Sequence, residues 1–124
     1  MAKQPLKGTA RLRAAFMNSI QGARDIWNGE EAFRLEVGLL VISVPLAIWL
    51  GDDLFQTAVL IAVVLLLLIV EILNSAIEAV VDRIGSERHE LSRMAKDFGS
   101  LAVLIAAALA GLVWIAALLD RLFV

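Results

Sequence analysis

Three long apolar stretches constrain the fold of this chain more than any other feature. They cover residues 37–50, 54–70 and 98–119. A helix that crosses a bilayer needs about 20 mostly apolar residues. The third stretch has that length alone, the first reaches it with the residues just before it, and the second continues to residue 81 without a helix breaker. The pattern predicts three transmembrane helices, over about 32–50, 54–81 and 98–119.

The composition agrees with a membrane protein. Sixty per cent of the 124 residues are hydrophobic, against about 45–50% in a typical soluble domain. A chain this short cannot bury so much apolar surface in a core of its own. It has no cysteine and a single histidine, His89. A disulfide framework, a thiolate metal site, a cysteine nucleophile and a histidine-rich metal site are therefore excluded.

The basic residues indicate how the helices are oriented. Of the 11 lysines and arginines, six lie in residues 1–34 and four in residues 82–97, and the turn at 51–53 has none. Cytoplasmic loops of membrane proteins carry the excess of basic residues. We therefore expect a multi-pass protein of a prokaryotic cytoplasmic (inner) membrane. Its N-terminus and an 82–97 loop would be cytoplasmic, and its C-terminus would lie outside.

Residues 10–28 have the pattern of an amphipathic surface helix. Their apolar side chains recur three or four residues apart, at Leu12, Phe16, Ile20, Ala23 and Trp27. Such a basic amphipathic helix suits the inner membrane surface, although a helix packed on the bundle would show the same pattern. Residues 1–9 are expected to be disordered.

The third apolar stretch shows a packing pattern. Ala102, Ala106 and Ala110 are four residues apart, and Gly99 and Gly111 add further small side chains. Small residues at this spacing let membrane helices approach closely.

Two tryptophans near the outer ends of the spans, Trp49 and Trp114, have the positions of interfacial anchors.

A polar stripe interrupts the second apolar stretch. Five polar side chains share about 100° of a helical wheel: Glu71, Asn74, Ser75, Glu78 and Asp82. A carboxylate inside a membrane costs about 2.5–3.5 kcal/mol on insertion scales. The stripe therefore needs a cation, protonation or basic partners. It is either a metal or proton site, or a network that joins helices with Arg34 as its basic partner.

A second acidic group begins the first span, with Glu30, Glu31 and Glu36 around Arg34. Oxygen ligands from two helices at one depth favour Mg²⁺, which proteins usually hold together with substrate phosphates. Lys96 and the arginines of residues 82–97 could bind those phosphates. The chain has no G-x-x-x-x-G-K-[ST] and no G-x-G-x-x-G sequence, so a nucleotide site would be of another kind.

The same residues form a recognisable motif. It consists of EILNSAIEAVVDRIGS at 71–86, His89-Glu-Leu-Ser92 and Ala95-Lys-Asp97, preceded by Trp27, Glu30, Ala32-Phe33-Arg34 and Glu36. Over nearly the whole chain this sequence resembles the prokaryotic integral-membrane diacylglycerol kinase family. The resemblance implies an all-α homotrimeric bundle, with three transmembrane helices and a surface helix per chain. It also implies transfer of the γ-phosphate of MgATP to the free hydroxyl of diacylglycerol, which gives phosphatidate, and no nucleic-acid partner.

The resemblance also implies residue roles. Glu71 would be the general base with Asn74 beside it, and Glu30 and Glu78 would hold Mg²⁺. Nucleotide contacts would come from Arg11, Asn18, Glu30, Glu78, Glu87, His89, Lys96 and Asp97. Substrate contacts would come from Glu71, Ser100 and Trp114, with Arg34, Glu36 and Asp82 as supporting residues. The chain departs from the family at Ala14, where a basic residue is usual, and at Asn18, where an aromatic is expected.

Two alternatives remain open at this point. One is a kinase for another lipid alcohol, such as undecaprenol. The other is a small oligomeric proton-coupled transporter that uses Glu71, which would show no ATP turnover.

Overall fold

The computed structural model describes residues 2–124, and these residues form an all-α protein. Four helices follow one another along the chain: α1 (Gly8–Gly29), α2 (Glu31–Leu50), α3 (Leu54–Ile84) and α4 (Glu90–Phe123). By length and composition α2, α3 and α4 can each cross a membrane. The prediction of three long apolar helices that follow an N-terminal helix is therefore confirmed.

The start of α1 differs from the prediction of disorder over residues 1–9. Residues 2–7 have no regular secondary structure, but Gly8 and Thr9 belong to the helix, and Met1 lies outside the described residues. Ala10, Arg11 and Leu12 are strong helix formers, which explains why the helix begins this early.

A tight turn joins α2 to α3. The Asp53 side chain accepts a hydrogen bond from the Gln56 backbone N–H (2.7 Å), and the Gln56 side chain accepts one from the Asp52 N–H (2.6 Å). These bonds satisfy backbone donors at the start of α3. A Cβ on Gly51 would overlap the Thr57 hydroxyl, so the turn requires glycine. The turn makes α2 and α3 antiparallel neighbours.

The connection between α3 and α4 is much shorter than the predicted loop over residues 82–97. Only Gly85–His89 are non-helical. The His89 ring accepts a hydrogen bond from the Leu91 N–H (3.0 Å), and Arg93 pairs with Glu90 and Asp97. Pairs three and four residues apart stabilise a helix. The loop prediction was therefore wrong for residues 82–84, which belong to α3, and for residues 90–97, because a high density of charge does not break a helix.

The bundle core consists of two clusters of buried residues. Ala47, Leu50, Leu60 and Ala117 form one, and Phe33, Val64 and Leu68 form the other. Both clusters occur where α2, α3 and α4 meet, so the core holds the three long helices together.

Trp114 contacts both of these clusters. Its ring is half-buried, and its Nε1–H donates to the Leu60 carbonyl (3.0 Å). A buried indole N–H usually finds such a partner. The Trp114 ring thus packs on the bundle, and its role as an interfacial anchor stays a prediction. Trp49 is 56% exposed, and the Arg121 guanidinium lies 4.9 Å from its ring centre.

The small residues of α4 face the bundle in part as predicted. Gly99, Ala106 and Ala110 are buried, and so is Ala117, which lies about two helical turns after Ala110. Ala102 is exposed. The buried small residues therefore do not keep a strict four-residue spacing, because such a spacing rotates gradually around a helix of 3.6 residues per turn.

Because the three long helices alternate in direction, two ends can be defined. The acidic end comprises residues 30–36 and 71–97, and the turn end comprises residues 47–60 and 110–121. Most of the predicted site residues lie at the acidic end.

Candidate active site

The polar stripe of α3 passes from a buried to an exposed environment. Glu71 is only 6% exposed, Asn74 and Glu78 are half-buried, and Asp82 is exposed. Glu71 and Glu78 are two helical turns apart, roughly 10 Å along the axis. The stripe thus leads from the interior of the bundle to its surface, as a site that receives both a lipid and a water-soluble ligand would require.

Acidic side chains of α2 and the α1–α2 junction face this stripe. Glu71 interacts electrostatically with Glu30 and Glu78, and Glu36 interacts with Glu71. The structure therefore brings the two predicted metal ligands, Glu30 and Glu78, into the neighbourhood of the predicted base. Four carboxylates converge on one region of the acidic end.

None of these four carboxylates forms an ion pair among residues 2–124, although Glu78 interacts electrostatically with Lys96. The ion pairs of this part of the chain involve Arg93 and Lys96 with other acids. Arg34 instead donates to the Trp27 carbonyl (2.6 Å), at the end of α1. The interpretation in which Arg34 neutralises the polar stripe is therefore wrong. A cation at the C-terminal end of a helix is favourable, which explains where Arg34 binds.

Three buried polar atoms near this cluster have no hydrogen-bond partner within the described chain. They are Glu36 Oε2, Asn74 Oδ1 and Ser75 Oγ. Buried polar atoms in folded proteins are nearly always paired. An oxygen-rich, uncompensated group of this kind is suited to a ligand that supplies positive charge or hydrogen-bond donors.

The donor set fits a hard cation such as Mg²⁺, which prefers oxygen ligands. In the described part of the chain, no three acidic or histidine side chains are close enough to hold a metal alone. Mg²⁺ commonly keeps only one or two protein carboxylates and takes the remaining oxygens from phosphates and water. The acidic end therefore fits a cation that arrives with phosphates, and does not fit a closed protein cage.

Asn74 lies between Glu71 and Glu78 on the polar stripe of α3. Its side-chain Nδ2 lies 3.5 Å from Glu78 Oε1, at the limit of a hydrogen bond. Its position links the buried part of the stripe to the half-buried part.

A surface cavity of about 430 Å³ surrounds the α3–α4 connection, within the size range of ligand pockets. Asp82, Glu87, His89 and Lys96 are among its lining residues. The cavity therefore unites three of the predicted nucleotide contacts. Asp97 does not line the cavity and pairs with Arg93, which does.

Lys96 is held at this cavity by an ion pair, in which its Nζ donates to Asp82 Oδ1 (2.7 Å). This hydrogen bond raises the pKa of the Lys96 ammonium above its ordinary value. Lys96 consequently remains a cation that is suitable for phosphate binding.

Four further predicted site residues have no contact with the acidic cluster shown in the described chain. Arg11 and Asn18 are exposed on α1, which packs against α2. Ser100 is exposed on α4, next to Gly99, whose Cβ position lies against Asn74. Trp114 bonds Leu60, roughly 16 Å from Glu71 along the α3 axis. Of these four, Trp114 therefore lies away from the acidic cluster of its own chain.

Sequence reasoning missed two contacts. The Asp82–Lys96 ion pair joins different helices, so no spacing rule indicates it. The bond from Arg34 to the Trp27 carbonyl has a weak signal, namely an arginine just after the end of a helix.

Comparison with known proteins agrees with this geometry. Residues 17–118 match the family described as Prokaryotic diacylglycerol kinase. The chain belongs to this family.

Relatives match along most of their length. The diacylglycerol kinase of Escherichia coli K12 is 52% identical over 107 residues, which cover 86% of this chain and 88% of that protein. The diacylglycerol kinase of Pseudomonas aeruginosa PAO1 is 44% identical over 123 residues, which cover 97% and 100%. That of Helicobacter pylori 26695 is 39% identical over 108 residues, which cover 87% and 84%. In this member of the prokaryotic diacylglycerol kinase family, the matched region contains the whole acidic end.

Proposed function

We propose that this protein is a diacylglycerol kinase that transfers the γ-phosphate of ATP to the free hydroxyl of diacylglycerol and gives phosphatidate. One observation carries the proposal. Four carboxylates that form no ion pair within the described chain lie around Glu71 at the acidic end of an apolar bundle, in a chain whose family and relatives carry this name.

We assign the role of general base to Glu71. It is the most buried acid of the stripe, and we place it at the depth that the headgroup of a lipid would reach. Its carboxylate would accept the proton of the lipid hydroxyl as that oxygen attacks phosphorus, and the phosphorus–oxygen bond to ADP would break. General bases contribute about 10²–10⁴-fold to a rate. Asn74, one turn nearer the surface, would help to orient the reacting groups.

Glu30 and Glu78 would hold Mg²⁺. The ion would supply neutralisation of the phosphate oxygens, which is a main requirement of phosphoryl transfer. The residues of the chain then provide alignment: Lys96, Glu87 and His89 line the cavity that would receive the nucleotide. Asp97 would contact the nucleotide once it is released from Arg93. Glu36, Arg34 and Asp82 would support this arrangement.

The remaining predicted contacts support a homotrimer with sites between subunits. Trp114 lies apart from the acidic cluster of its own chain, and Arg11 and Asn18 are exposed on α1. In an oligomer, α1 of one subunit could supply Arg11 and Asn18 to the site of another. The sedimentation mass of the purified protein in detergent tests this assembly, and a monomeric active enzyme would contradict it.

We also propose the membrane arrangement of the helices. Leu12 and Phe16 are more than half exposed on α1, which supports a helix that lies on the cytoplasmic surface. The basic residues place the N-terminus and the α3–α4 connection on the same side. Protease accessibility in sealed vesicles checks this, and cleavage of the C-terminus from the cytoplasmic side would contradict it.

Transfer of label from γ-labelled ATP to lipid tests the function. The purified protein is placed in vesicles with Mg²⁺ and either diacylglycerol or undecaprenol. We expect labelled phosphatidate and no comparable labelling of undecaprenol. Labelling of undecaprenol alone would assign another lipid alcohol as the substrate. Proton flux through the vesicles without any label transfer would favour the transporter instead.

A further inference from the structure

Gly99 of α4 lies directly against the side chain of Asn74 on α3. Gly99 is buried, and a Cβ built on it would overlap Asn74 Oδ1. The same Cβ would lie 3.1 Å from Asn74 Cγ and 3.7 Å from Asn74 Cβ. The amide oxygen of Asn74 therefore occupies the space that any other residue at position 99 would fill.

The obstruction differs in kind from ordinary helix packing. At Gly99 the three nearest atoms all belong to one side chain, that of Asn74, and the closest is its far end. A side chain can rotate away at a lower cost than a backbone can move, so an added methyl group would shift the amide and leave the helices in place. Gly111 lies on the same helix but has nothing within 4 Å of its Cβ position. The two glycines thus form a matched pair.

We propose that Gly99 is a positioning residue, which holds the Asn74 amide in its orientation between Glu71 and Glu78 by leaving room for Oδ1. With Oδ1 seated against Gly99, Nδ2 is directed to Glu78 Oε1 at 3.5 Å. A side chain at position 99 would force the amide to turn and would separate Nδ2 from Glu78. The effect on turnover rests on the proposed function, whereas the effect on the amide does not.

The test compares wild type with Gly99→Ala, Gly111→Ala, Asn74→Ala and the double variant Asn74→Ala/Gly99→Ala. Three quantities are measured for each full-length protein: kcat and KM for label transfer to diacylglycerol, the thermal midpoint, and the NMR signal of the Asn74 side-chain amide where it is present. The double variant removes the obstruction, because two Cβ atoms 3.7 Å apart are in ordinary contact.

We expect Gly99→Ala to lower kcat by at least about tenfold, since small displacements of aligned groups are costly. The KM for diacylglycerol and the thermal midpoint should stay close to wild type, and the Asn74 amide signal should shift. Gly111→Ala should change none of these. The double variant should turn over at the rate of Asn74→Ala, because the methyl group acts only through that amide.

Two kinetic results would overturn the proposal. One is a Gly99→Ala protein with the kcat and amide signal of Gly111→Ala. The other is a further loss of kcat in the double variant relative to Asn74→Ala, together with a lower thermal midpoint, which would indicate plain helix packing. If Gly99→Ala does not fold, folding of the double variant supports the proposal and its failure to fold contradicts it. Absence of phosphatidate with wild type would refute the proposed function alone, since the amide signal still tests the positioning.

Discussion

The two ends of the bundle differ in whether their polar side chains have hydrogen-bond partners. At the turn end, Asp53, Gln56, Thr57 and Trp114 all make hydrogen bonds to backbone groups. At the acidic end, Glu36, Asn74 and Ser75 each keep a buried atom without a partner in the described chain. Both ends belong to the same helices, so the difference lies in the side chains and not in the architecture.

The difference separates stability from function. Satisfied hydrogen bonds and buried small residues at the turn end stabilise the packing of the helices. Unpaired buried polar atoms cost stability, and such costs are typical of functional sites. The acidic end is therefore completed by its ligands. Substitutions there should affect turnover, and substitutions at the turn end should affect folding.

The largest expected effect is that of Glu71→Gln. Loss of the proposed base should lower kcat by about a thousandfold. Folding should not suffer, because the change removes a buried charge from a cluster of like charges. Label transfer to diacylglycerol measures the first quantity and the thermal midpoint the second. Asp120→Asn, the same chemical change at the turn end, should leave kcat unaltered. Retention of a tenth or more of wild-type turnover by Glu71→Gln would contradict the assignment of Glu71 as the general base.

Glu78→Gln should have the next largest effect. One carboxylate fewer near Mg²⁺ should weaken the response to the ion, and kcat/KM for MgATP should fall by about a hundredfold. A titration of activity with Mg²⁺ should show a shift of the half-saturating concentration to higher values. Asp52→Asn is the control at the turn end. An unchanged Mg²⁺ titration curve for Glu78→Gln would mean that the ion is held elsewhere.

Lys96→Gln should have a smaller effect, confined to nucleotide binding. Removal of one phosphate contact should raise the KM for MgATP by about tenfold, with little change in kcat. Steady-state kinetics at varied MgATP check this. Arg83→Gln removes an exposed cation from the last turn of α3 and should not change the KM. Equal changes in the two variants would indicate a general effect of surface charge.

Gly51→Ala should have no effect on kcat but should lower stability. A Cβ there would overlap the Thr57 hydroxyl and lie 2.9 Å from the Ala47 carbonyl oxygen and 3.0 Å from the Thr57 nitrogen. Because the backbone itself is in the way, the turn must distort, at a cost of about 1–3 kcal/mol. Thermal unfolding measures the loss. Gly38→Ala, with open space around its Cβ position, is the control. A stable but inactive Gly51→Ala would contradict the division between the ends.

Much of the fold could be predicted because it depends on patterns within one helix. Apolar length predicts α2, α3 and α4, and helical periodicity places Glu71, Asn74 and Glu78 on one face. Relations between helices were not predictable. The Asp82–Lys96 ion pair depends on how α3 packs against α4. The contact of Gly99 with Asn74 depends on the rotation of these two helices about their axes.

The side chains that line the candidate site could be predicted only in part, for a related reason. The carboxylate spacing indicates a cation site, but the length of the helical segment over residues 90–97 decides which side chains line the cavity. That segment was expected to be a loop, because its charges suggested solvent exposure. Asp97 is not among the residues that line the cavity, although its ion-pair partner Arg93 is.

The most direct test of the account locates the nucleotide on the protein. Mn²⁺ prefers the same kinds of ligand as Mg²⁺ and broadens NMR signals of nearby groups. With MnATP bound to the purified protein, we expect the methyl signals of Ile77 and Val81 at the acidic end to broaden. The methyl signals of Ala47 and Ala117 at the turn end should stay sharp. Broadening at the turn end, or none at either end under saturating MnATP, would contradict the assignment of the acidic end as the site of phosphoryl transfer.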